Sequence, residues 1–297
     1  MIAVLGSGFG LYGHIPALVE LGFPVATLAR YRTVLEGRPE LAALQSKLEL
    51  VATEDELLSE AQVVVLARRP QDNIRHALSL KGKVSINAIV LEKPPAPSPE
   101  GALNILRDLE NRRVFTPYLL RWCEWFPLLQ LADAQQIAIE WSYVPRVATS
   151  HWKSESAAGG GILAFYFIHL VALVSHILPQ FSIERFEVVD RKRAVELKLD
   201  AKSTKAVAVS FTAGARDNYF RIIVDGRVAV CAETPFGPTP RAGERDPRID
   251  ALKRFYAQEV FGTAAPSELT RIVALWGELK SRIGSRPATG EAPDLEI

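Results

Sequence analysis

The sequence predicts an α/β and α+β protein of two domains. Residues 1–118 form an N-terminal doubly wound parallel sheet, and residues 119–297 an open, mostly antiparallel sheet with helices on one face. Three observations carry this. A glycine-rich turn joins the first strand to the first helix. Short apolar strands then alternate with helical stretches to about residue 118. Beyond that point strand-like runs follow one another, interrupted by a single long apolar helix. A chain of 297 residues exceeds a typical single domain, which also favours two.

Taken in order, "IAVLG" is a β-rich run ending in glycine, and "LYGHIPALVELG" has helical spacing with Gly22 at its end. "FPVATLARYR" gives a second strand; "LAALQSKLEL" and "TEDELLSEA" read as helical; "QVVVLARRP" is a third strand. "DNIRHALSL" is a helix, "KVSINAIVLEKP" a strand, "SPEGALNILRDLENR" a helix started by Ser98 or Pro99, and "RVFTPYLL" one more strand. In the second half "QQIAIEWSYV", "FSIERFEVVD", "AVELKLD", "KAVAVSFTAG", "NYFRIIVDG" and "RVAVCAE" are strands, several alternating as half-buried strands do. "TPFGPTPRAGERDPR" is a loop, "IDALKRFYAQEVFG" and "SELTRIVALWGELKSRI" are closing helices, and the tail "RPATGEAPDLEI" is loosely ordered.

Composition narrows the function. With 48% apolar and 23% charged residues and a net charge of +1, no global field points to nucleic acid or an anionic membrane. Two cysteines, Cys123 and Cys231, make no disulfide framework, and no Cys/His cluster suggests a metal site. The start "MIAVLGSGFG" lacks a basic leader, so a cytoplasmic protein is expected. The run from Ile162 to Leu178 is apolar enough to raise the question of a membrane span, but His169 lies near its centre and the run is short of the roughly 20 residues a span needs. It reads as a helix buried in protein.

"VLGSGFGLYGHIPAL" places Gly6, Gly8, Phe9 and Gly10 at a strand-to-helix turn, where the backbone can approach a pyrophosphate lying at the helix N-terminus. The strict GxGxxG spacing would put its third glycine at Leu11, and a structural turn is the competing reading. An NAD site has an acid about 20 residues on, for the ribose hydroxyls. The second strand instead ends in "TLARYR", with Arg30 and Arg32 suited to a 2′-phosphate, so NADP is favoured over NAD.

"LEKPPA", holding Glu92 and Lys93, and "WKSESAAGGGILAFYFIHL" follow the glycine turn in this order. Together with "HIPAL" they resemble the glucose–fructose oxidoreductase and inositol dehydrogenase (Gfo/Idh/MocA) family, over nearly the whole chain. The resemblance implies a Rossmann domain followed by an open-sheet domain, and NAD(P)-dependent oxidation or reduction of sugars and related polyols. It implies a homodimer or homotetramer paired through the open sheet. It also implies that Lys93 is the family's EKP lysine and His169 its helix histidine, on the wall of the substrate cleft and facing the nicotinamide. The family expects Asp one turn before that histidine, an acid three residues after it and Gly two before it. Phe165, Ala172 and Phe167 stand there.

Hydride transfer needs a group that handles the hydroxyl proton. Lys93 is the first candidate, because its pKa can fall beside a positive nicotinamide and His169 lacks an orienting carboxylate. His169 then contacts substrate or shares the proton path, and Tyr166 is a substitute acid or a structural tyrosine. Tyr118, Arg121 and Trp122 follow the first domain, and Trp152 and Lys153 precede the glycines. Aromatic faces suit a sugar ring and basic groups a carboxylate or diphosphate; core packing and solvation are the competing readings. Arg68 and Arg69 fall where the family has a small Thr-Pro turn near the cofactor, and Asn73 where many members have His. These two arginines are expected at the cofactor phosphates, at an acidic substrate or facing water. The leading function is an NADP-dependent oxidoreductase of a sugar, sugar nucleotide or related polyhydroxy compound. An imine or tetrapyrrole-type reductase and a catalytically silent dinucleotide-binding regulator are the alternatives.

Overall fold

In the first sheet β1 (Ile2–Leu5), β2 (Val25–Leu28), β4 (Val63–Leu66) and β5 (Ala88–Leu91) are buried at every residue. That is what continuous Val, Ile, Leu and Ala runs do when helices cover both faces of a parallel sheet. With β3 (Leu48–Val51) and β6 (Arg113–Phe115) they form a six-stranded sheet of order β3-β2-β1-β4-β5-β6, parallel throughout. The winding reverses between β1 and β4, which makes the carboxyl ends of those two strands the place where such sheets bind ligands.

The computed structural model describes residues 1–130, 133–144, 152–153, 155–191, 194–241, 243–264 and 268–284; the tail "RPATGEAPDLEI" lies outside them. The described residues fall into two compact units. The first is Met1–Ala96, Glu100–Trp122 and Pro240–Leu269; the second is Pro97–Pro99, Cys123–Thr239 and Thr270–Ile297.

One expectation for the first unit is corrected. "LAALQSKLEL" is not a helix: after α2 (Arg32–Glu36) only the four-residue α3 (Pro39–Ala42) and a tight turn at Gln45–Lys47 form. Leu48–Val51 pairs with β2, from Val25↔Leu48 to Leu28↔Val51. Leu41, Leu44 and Leu48 fit helical spacing equally well, and the sheet edge decides the outcome where a short apolar run is ambiguous.

The glycine turn enters α1 (Ile15–Glu20) through a wider π-helical turn, Gly10–His14. Thr53 caps α4 (Glu54–Ser59), its hydroxyl accepting from the Glu56 amide at 3.2 Å. α5 (Pro70–Ser79) follows β4 and α6 (Pro99–Asp108) follows β5. Late in the chain α8 (Arg248–Phe255) rejoins this unit. Its Phe255 meets Phe115 of β6 at 6.5 Å and Trp122 at 6.4 Å, both edge-on. Arg245 binds Glu20 of α1 (3.0 and 2.9 Å) as well as Asp250 (2.9 and 2.8 Å). Exposed ion pairs give about 0–1 kcal/mol each, whereas burying a large ring gives about 1.5–3, so the aromatic contacts hold α8 in place.

The second unit carries β7 (Gln136–Tyr143), β8 (Ser182–Arg191), β9 (Ala194–Lys202), β10 (Ala206–Ala213), β11 (Tyr219–Val224) and β12 (Arg227–Ala232) in the order β12-β11-β7-β10-β9-β8. Only the β7–β10 pair is parallel. Strand β10, "AVAVSFTA", buries every second residue, as one covered face requires.

The apolar helix divides into a π-helical turn, Ile162–Phe167, and α7 (Ile168–Ile177). All of α7 but His176 is buried. Each of Leu170, Val171, Leu173 and Val174 gains about 1.5–3 kcal/mol by burial, so protein takes the place of lipid around it. Among the described residues no helix is long and apolar enough to cross a membrane. α9 (Leu269–Gly284) closes the unit, and Arg271 donates to the Leu178 carbonyl at 3.1 Å.

Candidate active site

In the first unit the site begins at Gly6, whose φ is +148°. A Cβ there would lie 2.1 Å from the Ala67 carbonyl oxygen at the end of β4. Only glycine lets β1 and β4 end this close together. Gly8 has the opposite surroundings: nothing lies within 4 Å of where its Cβ would be. Gly10 sits against Ala67 Cβ, 3.2 Å from its own notional Cβ. The turn therefore has one tightly packed side and one open side at the switch point. Phe9 turns its ring along the helix, beneath the Arg248 guanidinium at 4.2 Å and 5.3 Å from the His14 ring.

Arg30 and Arg68, expected at the cofactor phosphates, meet through an acid that lies beyond the second strand. Arg30 Nη2 donates to Glu54 Oε1 at 2.7 Å, and Arg68 Nη2 donates to the same oxygen at 2.5 Å. His76 Nδ1 faces the Asp72 carbonyl at 2.8 Å. His76 Nε2 lies between the Arg68 Nη1 donor at 2.6 Å and the Glu54 Oε2 acceptor at 3.0 Å. Burial alone would raise the Glu54 pKa, but Arg68, helped by Arg30 and His76, brings it down to about 2. Arg68 thus points inward rather than into water. Arg32 opens α2 with its side chain exposed.

Glu92 and Lys93 stand directly after β5. Glu92 Oε1 lies 2.8 Å from His14 Nε2, and His14 Nδ1 lies 2.5 Å from the Tyr256 hydroxyl. His14 and Tyr256 are both 0% exposed, and burying either without a partner would cost about 1–3 kcal/mol, so the hydrogen bonds are what make their burial tolerable. Glu92 Oε2 accepts from the Lys93 amide at 3.2 Å. Lys93 itself is half-buried. Tyr118 is buried beside this group: desolvation and then the Glu92 charge push its phenol well above the usual range. Arg121 lies over the Trp122 ring at 4.8 Å and 3.8 Å from Glu259.

In the second unit Phe165 takes the place of the expected Asp and is enclosed by two of the expected substrate residues. Trp152 meets it edge-on at 5.6 Å, and Lys153 Nζ lies 5.2 Å over its ring. The glycines set this contact: a Cβ on Gly160 would fall 2.3 Å from the Trp152 carbonyl oxygen, and the Gly161 amide donates to the Lys153 carbonyl at 2.8 Å. Tyr166 stacks on Phe211 of β10 at 5.3 Å and lies 4.7 Å from Tyr143. Burial, then Tyr143, raises its phenol far above neutrality, so Tyr166 is a hydrogen-bond donor rather than a base. His169, 5% exposed, has its ring 6.4 Å from Trp141 of β7.

The structure therefore joins Arg30 with Arg68, Glu92 with Lys93 and Tyr118, and Trp152 with Lys153 and Phe165. Sequence reasoning missed His14, Glu54, His76 and Tyr256. A histidine inside the apolar run "HIPALV" was a signal for His14; nothing in "KRFYAQ" marked Tyr256. A cavity of about 400 Å³ in the first unit, lined by Tyr12, Arg38, Glu40, Arg241 and Arg245 among others, contains none of the expected site residues. Among the described residues no group of three or more His, Cys, Asp or Glu could hold a metal ion.

No family model matches the sequence, and neither does any curated protein. Solved structures do. The WlbA (WbpB) dehydrogenase from Thermus thermophilus, in complex with NAD and UDP-GlcNAcA, is similar over 99% of this chain and 97% of its own, with TM-score 0.67 and 17% identity. A myo-inositol dehydrogenase from Corynebacterium glutamicum matches over 97% and 99%, with TM-score 0.68 and 15% identity. A levoglucosan dehydrogenase, in complex with NADH and levoglucosan, matches over 94% and 95%, with TM-score 0.63 and 13% identity. Over 94–99% of the chain the fold is that of these dehydrogenases.

Proposed function

We propose that the protein is an NADP-dependent oxidoreductase acting on a sugar, sugar nucleotide or related polyhydroxy compound. The observation that carries this is the placement of the glycine turn. It lies at the β1/β4 switch point, with Glu92-Lys93 after the next strand, in a fold shared over the full length with dehydrogenases of such compounds. The residues fit a dinucleotide: the open side at Gly8 leaves room for a pyrophosphate against the turn, and Arg30 and Arg32 follow β2, which favours a 2′-phosphate once Arg30 leaves Glu54.

When bound, the nicotinamide supplies the hydride donor or acceptor. Gly6, Gly8, Phe9 and Gly10 hold the pyrophosphate by backbone, Arg30 and Arg32 select the phosphorylated ribose, and Glu92 braces the strand end. Arg68 acts there through Glu54. Lys93 takes or returns the hydroxyl proton. Trp152, Lys153, Tyr166, His169, Tyr118 and Arg121 are the proposed substrate contacts, through ring faces and hydrogen bonds. The open sheet pairs copies into a homodimer or homotetramer, which light scattering on the purified chain tests.

The function itself is tested by fluorescence titration with NADPH and NADH, then turnover on sugars, sugar nucleotides and inositols. NADPH binding with turnover on one class is the expected result. Binding of neither cofactor would refute the reading. A second reading, the silent dinucleotide-binding regulator, draws on Phe165 and its aromatic neighbours in place of acids. It predicts cofactor binding without turnover on any class.

A further inference from the structure

Glu92 is faced by His14 from the turn before α1, by Tyr256 from the turn after α8, by Tyr118 after β6, and by its neighbour Lys93. A carboxylate only accepts, so His14 Nε2 carries the hydrogen of the 2.8 Å contact to Oε1. Burial and the Glu92 charge keep the Tyr256 phenol protonated, and with a neutral ring its hydroxyl donates to His14 Nδ1. The hydrogens then run one way, from Tyr256 to His14 to Glu92, and the second carboxylate oxygen takes the Lys93 amide. Each link leaves the next a single orientation.

We infer that His14, oriented by Tyr256, is a positioning residue for Lys93: it fixes the Glu92 carboxylate that accepts the Lys93 amide, and it tempers the charge that this carboxylate, one residue away, adds to the field at the Lys93 side chain. The inference rests on the reading of Lys93 as the proton-handling group. It assigns a task to two buried polar residues, 78 and 242 residues from their partners, that packing alone does not need.

Competitive acetylation with acetic anhydride, read by mass spectrometry at each lysine, gives a rate-against-pH curve for Lys93 in the full chain. His14→Leu removes the donor to Oε1 and leaves more negative charge acting on the ammonium, so the Lys93 curve should move to higher pH by about half a unit or more. Tyr256→Phe removes only the orienting hydroxyl and should move the curve the same way by less. His14→Gln, which restores an amide donor, should bring it back toward the wild type. Curves for the other lysines and NADPH affinity should stay in place, and a lower melting temperature does not bear on the outcome as long as the variant is folded at the labelling temperature. An unmoved Lys93 curve in folded His14→Leu and Tyr256→Phe overturns the inference. If His14→Leu fails to fold, Tyr256→Phe decides alone. A purified wild-type chain that binds neither NADPH nor NADH refutes the oxidoreductase reading separately, because the labelling curve does not depend on either.

Discussion

Around Glu92 in the first unit, side chains meet through a chain of directed hydrogen bonds; around His169 in the second, ring contacts are prominent, with the hydrogen-bonded Tyr143 and Tyr166 among them. His14, Tyr256 and Glu92 form a chain of short polar contacts, and Glu54 gathers Arg30, Arg68 and His76. The second region has Phe165 against Trp152 and Lys153, and Tyr166 against Phe211, Tyr143 and Trp141. A polar network fixes where a proton sits, since each donor has one acceptor. Ring faces fix where a flat or apolar surface lies and say little about protons. The proposed function draws on the first region for proton handling and on the second for surface recognition.

The largest expected effect falls on the framework of the first region. Gly6→Ala would set a Cβ 2.1 Å from the Ala67 carbonyl at a φ of +148°. Overpacking and backbone strain together should cost about 3 kcal/mol or more, visible in urea unfolding, and abolish NADPH binding. A stability within error of the wild type would mean that the two strand ends can separate.

Next comes the chemistry itself. Lys93→Met should keep cooperative unfolding and cofactor affinity while lowering kcat by about 10²-fold or more. Near-normal turnover would move the proton to the second region and erase the contrast.

Glu54→Gln should act on cofactor choice. Freeing Arg30 and Arg68 from their shared carboxylate should improve NADPH over NADH by about tenfold, roughly one charge-assisted contact. Equal gains for both cofactors would show that the arginines do not read the 2′-phosphate. The same variant should alter acid stability. Glu54 titrates near 4.5 when unfolded and near 2 when folded, so its contribution is present above pH 4.5 and lost as pH falls toward 2. Unfolding free energy in Glu54→Gln should therefore fall less steeply across that window.

The mildest change is expected at His169→Asn, where KM should rise by about three- to tenfold with kcat falling less, the mark of a lost ground-state contact. A lowered melting temperature with unchanged KM would make His169 part of the aromatic packing alone.

The parallel strands, the glycine turn and the late antiparallel sheet were legible because each writes a local pattern: "IAVLG" and "QVVVLA" as unbroken apolar runs, "AVAVSFTA" as alternation. Strand β3 was not, because four residues of "LELV" suit either period and only pairing with β2 chooses. The return of Pro240–Leu269 to the first unit left no local trace either. Arg30 and Arg68 were read as cofactor residues, but Glu54 lies a strand away and its capture of both is a fact of three dimensions.

That late return also governs the order in which the molecule can be made. His14 leaves the ribosome early, and its hydroxyl partner on Tyr256 follows 242 residues later. Until then the His14 imidazole lacks its Tyr256 partner, and Phe115 lacks Phe255. Synthesis therefore cannot complete the first unit before starting the second, as it would for beads on a string. A ribosome stalled near residue 240 would present the six-stranded sheet complete but without α8, so Phe115 and Trp122 would lack Phe255.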